Sequence, residues 1–180
     1  HEFEHCLPAA TWLKGKGYKV GFNLMQINNV NNLEIAKLLQ LANSYPIDVL
    51  YFADSMGSLN KQQITSTVQT FKSGWDGEIG IHAHDSMGNA VNNSMQAIND
   101  GVSWVDSTVA GMGRGPGNAQ TEYLSIELDD YRNLNTSKTK LLKLIQNHFK
   151  LLKEQYGWGG LTHIIPWQGS IAFIQRTYKR

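Results

Sequence analysis

His82 and His84, within EIGIHAHDSMGN, are the residues whose type and spacing speak most directly of chemistry in this 180-residue sequence. Side chains two apart on an extended strand point to the same side. The pair therefore projects two imidazoles together, with room for one divalent ion between their nitrogens. The competing reading makes one a hydrogen-bonded core histidine and places the other on a loop. The position of the pair at a strand end, immediately before Asp85, favours the metal. Downstream, GMGRGPGN (Gly111 to Asn118) could cradle a phosphate or carboxylate with backbone N–H groups, because glycine permits close approach and positive φ. It lacks the GK[ST] of a Walker loop and is not a GxGxxG turn, so a nucleotide reading has little support; a long structural turn is the alternative. Arg114 within it could clamp an anion bidentately or simply be solvated.

These groups need a scaffold, and the hydrophobic pattern supplies one. Apolar runs alternate with longer amphipathic stretches, each changeover marked by Gly, Pro, Asn or Asp, which is the signature of βαβ units. A short helix is expected over Leu7 to Leu13. Strands are expected at Tyr18–Met25, Asp48–Ala53, Glu78–His84 and Ser103–Val109. Between them lie helices bearing Ile35, Leu38, Leu39 and Ala42, then Ile64, Val68 and Phe71, then Ala90, Ser94, Ala97 and Ile98. An Asn near position 32 and Ser58 are the candidate N-caps, and Gly101 stands where a helix C′ glycine belongs. A further helix opens near Gln120. Ser137 begins another, with Leu141, Leu144, Ile145, His148 and Leu152 on one side and glycines 157, 159 and 160 at its end. A last short helix is expected over residues 161–180. Tyr156, Trp158 and Trp167 are expected to pack the last two helices.

Periodicity cannot choose between an open doubly wound sheet and part of an eight-stranded barrel. Both place ligand sites at the carboxyl ends of strands, and there the polar residues collect: Asn23 and Gln26, Asp54 and Ser55, His82, His84 and Asp85, then Asp106, Ser107 and Thr108. Polar groups near a barrel interior are costly unless paired or metal-bound, so this repetition argues for a site. Asp54 and Asp106 could act as acids or bases; capping a following helix, or holding a histidine, is the favoured role for both.

Composition removes several function classes. The formal charge is +1, from 16 basic and 15 acidic residues, with no dense run of either sign, so neither a nucleic-acid surface nor a polybasic membrane patch is expected. No apolar run approaches the ~20 residues needed to span a bilayer. Cys6, the single cysteine, cannot form an intramolecular disulfide and is expected to be a buried, inert thiol; a reducing, cytoplasmic setting follows. The abrupt start at HEFEHC suggests a piece of a larger protein.

The blocks FADSMG, GIHAHDSMGNAVNNSMQAINDG and WVDSTVAGMGRGPGNAQTE, in that order, resemble the HMG-CoA lyase-like family of TIM barrels, which includes 4-hydroxy-2-oxovalerate aldolase, isopropylmalate synthase and HMG-CoA lyase. The resemblance covers roughly Gly17 to Leu124. It implies the C-terminal half of a (β/α)8 barrel over residues 1–130, with a helical extension over 131–180. It also implies a divalent ion, Mn²⁺ first and Mg²⁺ or Zn²⁺ otherwise, held by His82, His84 and an aspartate of the first barrel strand. Asn118 matches an asparagine that approaches the metal in some members. Asn23, Asp54 and Arg114 are the candidate substrate contacts. The first-strand aspartate and its neighbouring arginine have no counterpart here, so the base and the enolate-stabilising arginine are expected in a missing N-terminal half. The chain alone is then expected to be inactive, and prone to aggregate or dimerise through its open strand edges.

Within the family, the loop lacks the cysteine of HMG-CoA lyase and the acid of the ERAGN form of isopropylmalate synthases. The implied activity is that of the aldolase branch: cleavage or formation of a C–C bond in a 4-hydroxy-2-oxo acid through a pyruvate enolate. A Claisen-type acyl-CoA synthase and a non-catalytic barrel relative are the alternatives. The resemblance also implies a homo-oligomer or a partner dehydrogenase.

Overall fold

The computed structural model of the protein describes residues 2–132 and 137–159. Two short helices, α1 (Glu2–Cys6) and α2 (Pro8–Gly15), precede three βα units: β1 (Gly21–Leu24) with α3 (Asn32–Ala42), β2 (Val49–Asp54) with α4 (Lys61–Gly74), and β3 (Glu78–Ala83) with α5 (Ala90–Asn99). Then follow β4 (Trp104–Val105), α6 (Thr121–Arg132), α7 (Lys138–Leu144), a π-helical turn over Ile145–Phe149, and α8 (Lys150–Tyr156). The four strands form one parallel sheet in the order β1-β2-β3-β4, so each strand pairs with the one before it in the chain.

In-register partners of a parallel sheet share a face. Leu24, Phe52, Ile81 and Val105 form one row. They meet Leu38 and Leu39 of α3 and Ile64, Val68 and Phe71 of α4 in the hydrophobic core, where the Phe52 and Phe71 rings lie 5.3 Å apart. Burying each of these side chains contributes about 1.5–3 kcal/mol, which fixes the strands against the helices. The opposite row is Asn23, Tyr51, Gly80 and Trp104. Among the described residues no helix covers it: Asn23 is exposed, Tyr51 half-buried and Trp104 43% exposed. A cavity of about 700 Å³ opens on this face among Gly21, Val49, Tyr51, Glu78 and Trp104, near the amino ends of the strands.

Helix starts follow local chemistry. Asn31 accepts from the Glu34 N–H. Asn60 and Gln63 form a reciprocal capping box at α4, of the kind that contributes about 1 kcal/mol. Asn60 takes the cap expected of Ser58, whose Oγ instead accepts from Asn28 Nδ2. The fourth strand is shorter than its sequence suggests. After the Asp106 N–H donates to Ile81 O, the chain turns away, and the Thr108 N–H pairs with Ala119 O. Gly101 ends α5 at φ 102°, and Gly157 ends α8 at φ 67°.

Cys6 is exposed, not buried, because α1 is a single turn at the surface. The helix expected over residues 161–180, with Trp167, lies outside the described residues. Among the described residues no helix is long and apolar enough to cross a membrane.

Candidate metal centre

β3 delivers its two histidines as the alternation requires. The His82 and His84 rings lie 5.2 Å apart, centroid to centroid, with planes at 82°. Each uses Nδ1 for an acceptor. His82 Nδ1 lies 3.1 Å from Asp106 Oδ2, and His84 Nδ1 lies 3.2 Å from the carbonyl of Gly117. A backbone carbonyl and an ionised carboxylate can only accept, so these bonds assign the proton to Nδ1 and leave Nε2 of both rings as a lone-pair donor. Burial, followed by repulsion from His82 when that ring is protonated and from Arg114, pulls the His84 pKa below 6.5 and favours the neutral ring a metal needs.

The glycine loop returns beside the pair. Asn118 bridges to His84 in antiparallel fashion. Its N–H donates to Gly111 O and its side-chain Nδ2 to Met112 O, both at 3.2 Å. Asn118 Oδ1 is buried and has no hydrogen-bond partner. An amide oxygen orphaned in this way costs about 1–3 kcal/mol, so it points to a ligand. Glycine is needed at two places here. A Cβ on Gly113 would sit 2.5 Å from Asn118 Nδ2, and one on Gly117 would strike Gly111 O.

The structure separates the other candidates. Asp54 is wholly buried, and its carboxylate accepts from Asn28 Nδ2, the Ser58 N–H and the Leu59 N–H at 3.0–3.1 Å. It ties down the β2–α4 loop and is sealed from solvent, which differs both from the substrate contact and from the helix cap or histidine partner expected of it. Asp85 Oδ1 accepts the Ala90 N–H at the start of α5; burial raises its pKa, opposed by that bond and by the charge of Lys153. Asn23 is exposed on the uncovered sheet face, level with Tyr51 and one row below His82. Arg114 is exposed on the loop, and its charge is felt at His84. Among the described residues no three His, Cys, Asp or Glu side chains converge on a metal position, so two imidazoles and one amide oxygen are what those residues offer.

The HMGL-like family model matches residues 1–148. This chain belongs to the HMGL-like family. A 4-hydroxy-2-oxovalerate aldolase of Geobacillus genomosp. 3 is 38% identical over 105 residues, covering 58% of this chain and 31% of that one. The 4-hydroxy-2-oxovalerate aldolase 4 of Rhodococcus opacus (strain B4) is 31% identical over 127 residues, covering 67% and 37%. The chain thus spans about a third of the length of these relatives. Among solved structures, the N-terminal domain of a candidate aldolase from Bacteroides vulgatus superposes with a TM-score of 0.80 at 29% identity, covering 88% of this chain and 53% of that one. A Bacillus subtilis HMG-CoA lyase gives 0.71 at 20% identity, covering 87% and 56%. These neighbours are TIM-barrel domains, and the HMGL-like chain forms part of such a barrel. Its uncovered sheet face is the one a closed barrel turns inward.

Two contributors were not legible in the sequence. Tyr51, inside an apolar strand, shares the inner face with His82. Its ring lies over Gly80, where a Cβ would meet it at 2.5 Å, and its hydroxyl feels the charge of Asp106, the carboxylate that holds His82. A polar-tipped aromatic level with a glycine on the next strand is the signal that could have found it. Trp158 reaches the glycine loop, donating Nε1 to Ala110 O at 2.9 Å. Tyr156 is 64% exposed.

Proposed function

We propose that this chain is the metal-binding part of a divalent-metal-dependent aldolase that cleaves or forms a C–C bond in a 4-hydroxy-2-oxo acid. The observation that carries the reading is the set of unused donor atoms. Nε2 of His82, Nε2 of His84 and the buried Asn118 Oδ1 are left over after every other polar atom of these side chains has found a partner. The names of the curated relatives supply the reaction class.

A nitrogen–oxygen donor set suits Mn²⁺, Mg²⁺ or Zn²⁺, with Mn²⁺ the first choice. When bound, such an ion supplies Lewis-acid stabilisation of the negative charge that develops beside a ketone as the C–C bond breaks. Asp106 and the Gly117 carbonyl fix the imidazole tautomers and ring directions. Arg114, exposed on the loop, would meet a carboxylate, and Asn23, exposed on the inner face, a polar substrate group. A further carboxylate ligand, the general base and the enolate-stabilising arginine are assigned to barrel strands outside this chain.

The test uses the whole protein: metal content after purification, and pyruvate release from a panel of 4-hydroxy-2-oxo acids, for wild type and His82→Ala. Bound metal and pyruvate release, both lost in the variant, support the reading. Metal without cleavage turns it toward acyl-CoA condensation, and no metal at all overturns it in favour of a non-catalytic relative.

A further inference from the structure

Ala110 adopts φ 56° and ψ 21°, the left-handed region that L-residues enter at a cost; Gln26 is the other non-glycine with positive φ among the described residues. Such a conformation persists where its surroundings impose it. For Ala110 they do so at both ends of the residue. Its N–H donates to Glu122 Oε2 at 3.0 Å, and its carbonyl accepts the indole N–H of Trp158 at 2.9 Å. Trp158 is buried, its ring beside Gly117, and the Gly159 N–H donates to Gly115 O at 3.0 Å. The segment after α8 therefore straps the loop at three points.

The next two carbonyls after Ala110 are those that hold Asn118. Gly111 O accepts its backbone N–H and Met112 O its side-chain Nδ2. We infer that Trp158 is a positioning residue for the candidate metal centre: by holding Ala110 in its left-handed turn it sets the two carbonyls that orient Asn118. Trp158 lies ten residues beyond the region the family model matches, which ends at residue 148. The inference rests on the metal-site reading only for what the orientation of Asn118 serves; the strapping of the loop stands apart from it.

The experiment uses the whole ¹⁵N-labelled protein with Trp158→Phe, which keeps an aromatic ring and removes the N–H, and Ala110→Gly, which lets the turn form without being held. Trp158→Phe is expected to shift the Asn118 side-chain amide signals, to speed exchange of the Asn118 N–H about tenfold, and to weaken Mn²⁺ binding about three- to tenfold, the effect of one lost hydrogen bond. Amides of α4 should be unaffected. Adding Ala110→Gly should return all three readouts to within about twofold of wild type, since glycine populates the left-handed region freely. Unchanged Asn118 signals, faster exchange spread equally into α4, or no rescue by Ala110→Gly would each overturn the inference. If Trp158→Phe alone does not fold, recovery of folding in the double variant supports the inference and continued failure overturns it. If the wild type binds no Mn²⁺, the metal reading fails, while the amide signals still decide the role of Trp158.

Discussion

The ends of β2 and β3 carry polar side chains of similar kinds a few ångströms apart in the same sheet, yet they have opposite fates. At the end of β2, Asp54 is sealed from solvent and its oxygens meet Asn28, Ser58 and Leu59, while the Ser55 Oγ accepts the Gln26 N–H. The Asp54 and Ser55 side chains both have partners inside the protein, although the Asn28 Oδ1 beside them has none. At the end of β3, His82 and His84 each use one ring nitrogen and leave the other, and Asn118 leaves its oxygen. A strand end becomes a site through what its side chains still lack, and the residue types alone do not say which end that is.

The comparison breaks most readily at Asp54. Asp54→Ala strands three donors and should lower unfolding free energy by about 3 kcal/mol or more, read by urea denaturation; a loss under about 1 kcal/mol would mean that the β2 end is not locked. His82→Ala or His84→Ala, by contrast, should abolish Mn²⁺ binding while moving stability by no more than about 1 kcal/mol. Adding a chelator to the wild type should then lower its melting temperature, and adding it to either variant should not. A smaller effect sharpens the contrast through pH. The lowered pKa of His84, caused first by burial, means that the unfolded state binds more protons just below 6.5. Stability of the metal-free protein should therefore fall as pH drops below about 6.5, and His84→Gln should flatten that limb. The smallest effect is at the alkaline end. Burial, then the charge and hydrogen bond of Asp106, push the Tyr51 pKa from 10.0 up to about 12. The unfolded chain loses this proton first, so stability should decline between those values, and Tyr51→Phe should remove both the decline and the late phenolate absorbance step.

The βα alternation was legible because β2 and β3 are apolar runs bounded by turn residues and α3 to α5 keep their buried residues at helical spacing. His82 and His84 were legible for the same reason: period two is a local property. What escaped reading depended on distant chain. Ser58 looks like a cap until Asn28 engages its hydroxyl. β4 looks longer until Asp106 and Thr108 are drawn toward His82 and Ala119. Asp54 reads as a strand-end acid facing a ligand, and only the folded β2–α4 loop shows it enclosed. Nothing near Trp158 announces Ala110 as its partner 48 residues away.

The strand order has a consequence for how the chain is made. Because each strand pairs with its immediate predecessor, the sheet can grow unit by unit as the polypeptide emerges, each step closing only its own helical crossover. The hydrogen bond of Trp158 to Ala110 is different, since it must wait until α6, α7 and α8 have been synthesised. The sheet and its two imidazoles can thus be complete while the loop bearing Asn118 is still unshaped. Assembly of this molecule would run from scaffold to candidate site in time as well as in space, with the glycine loop maturing last.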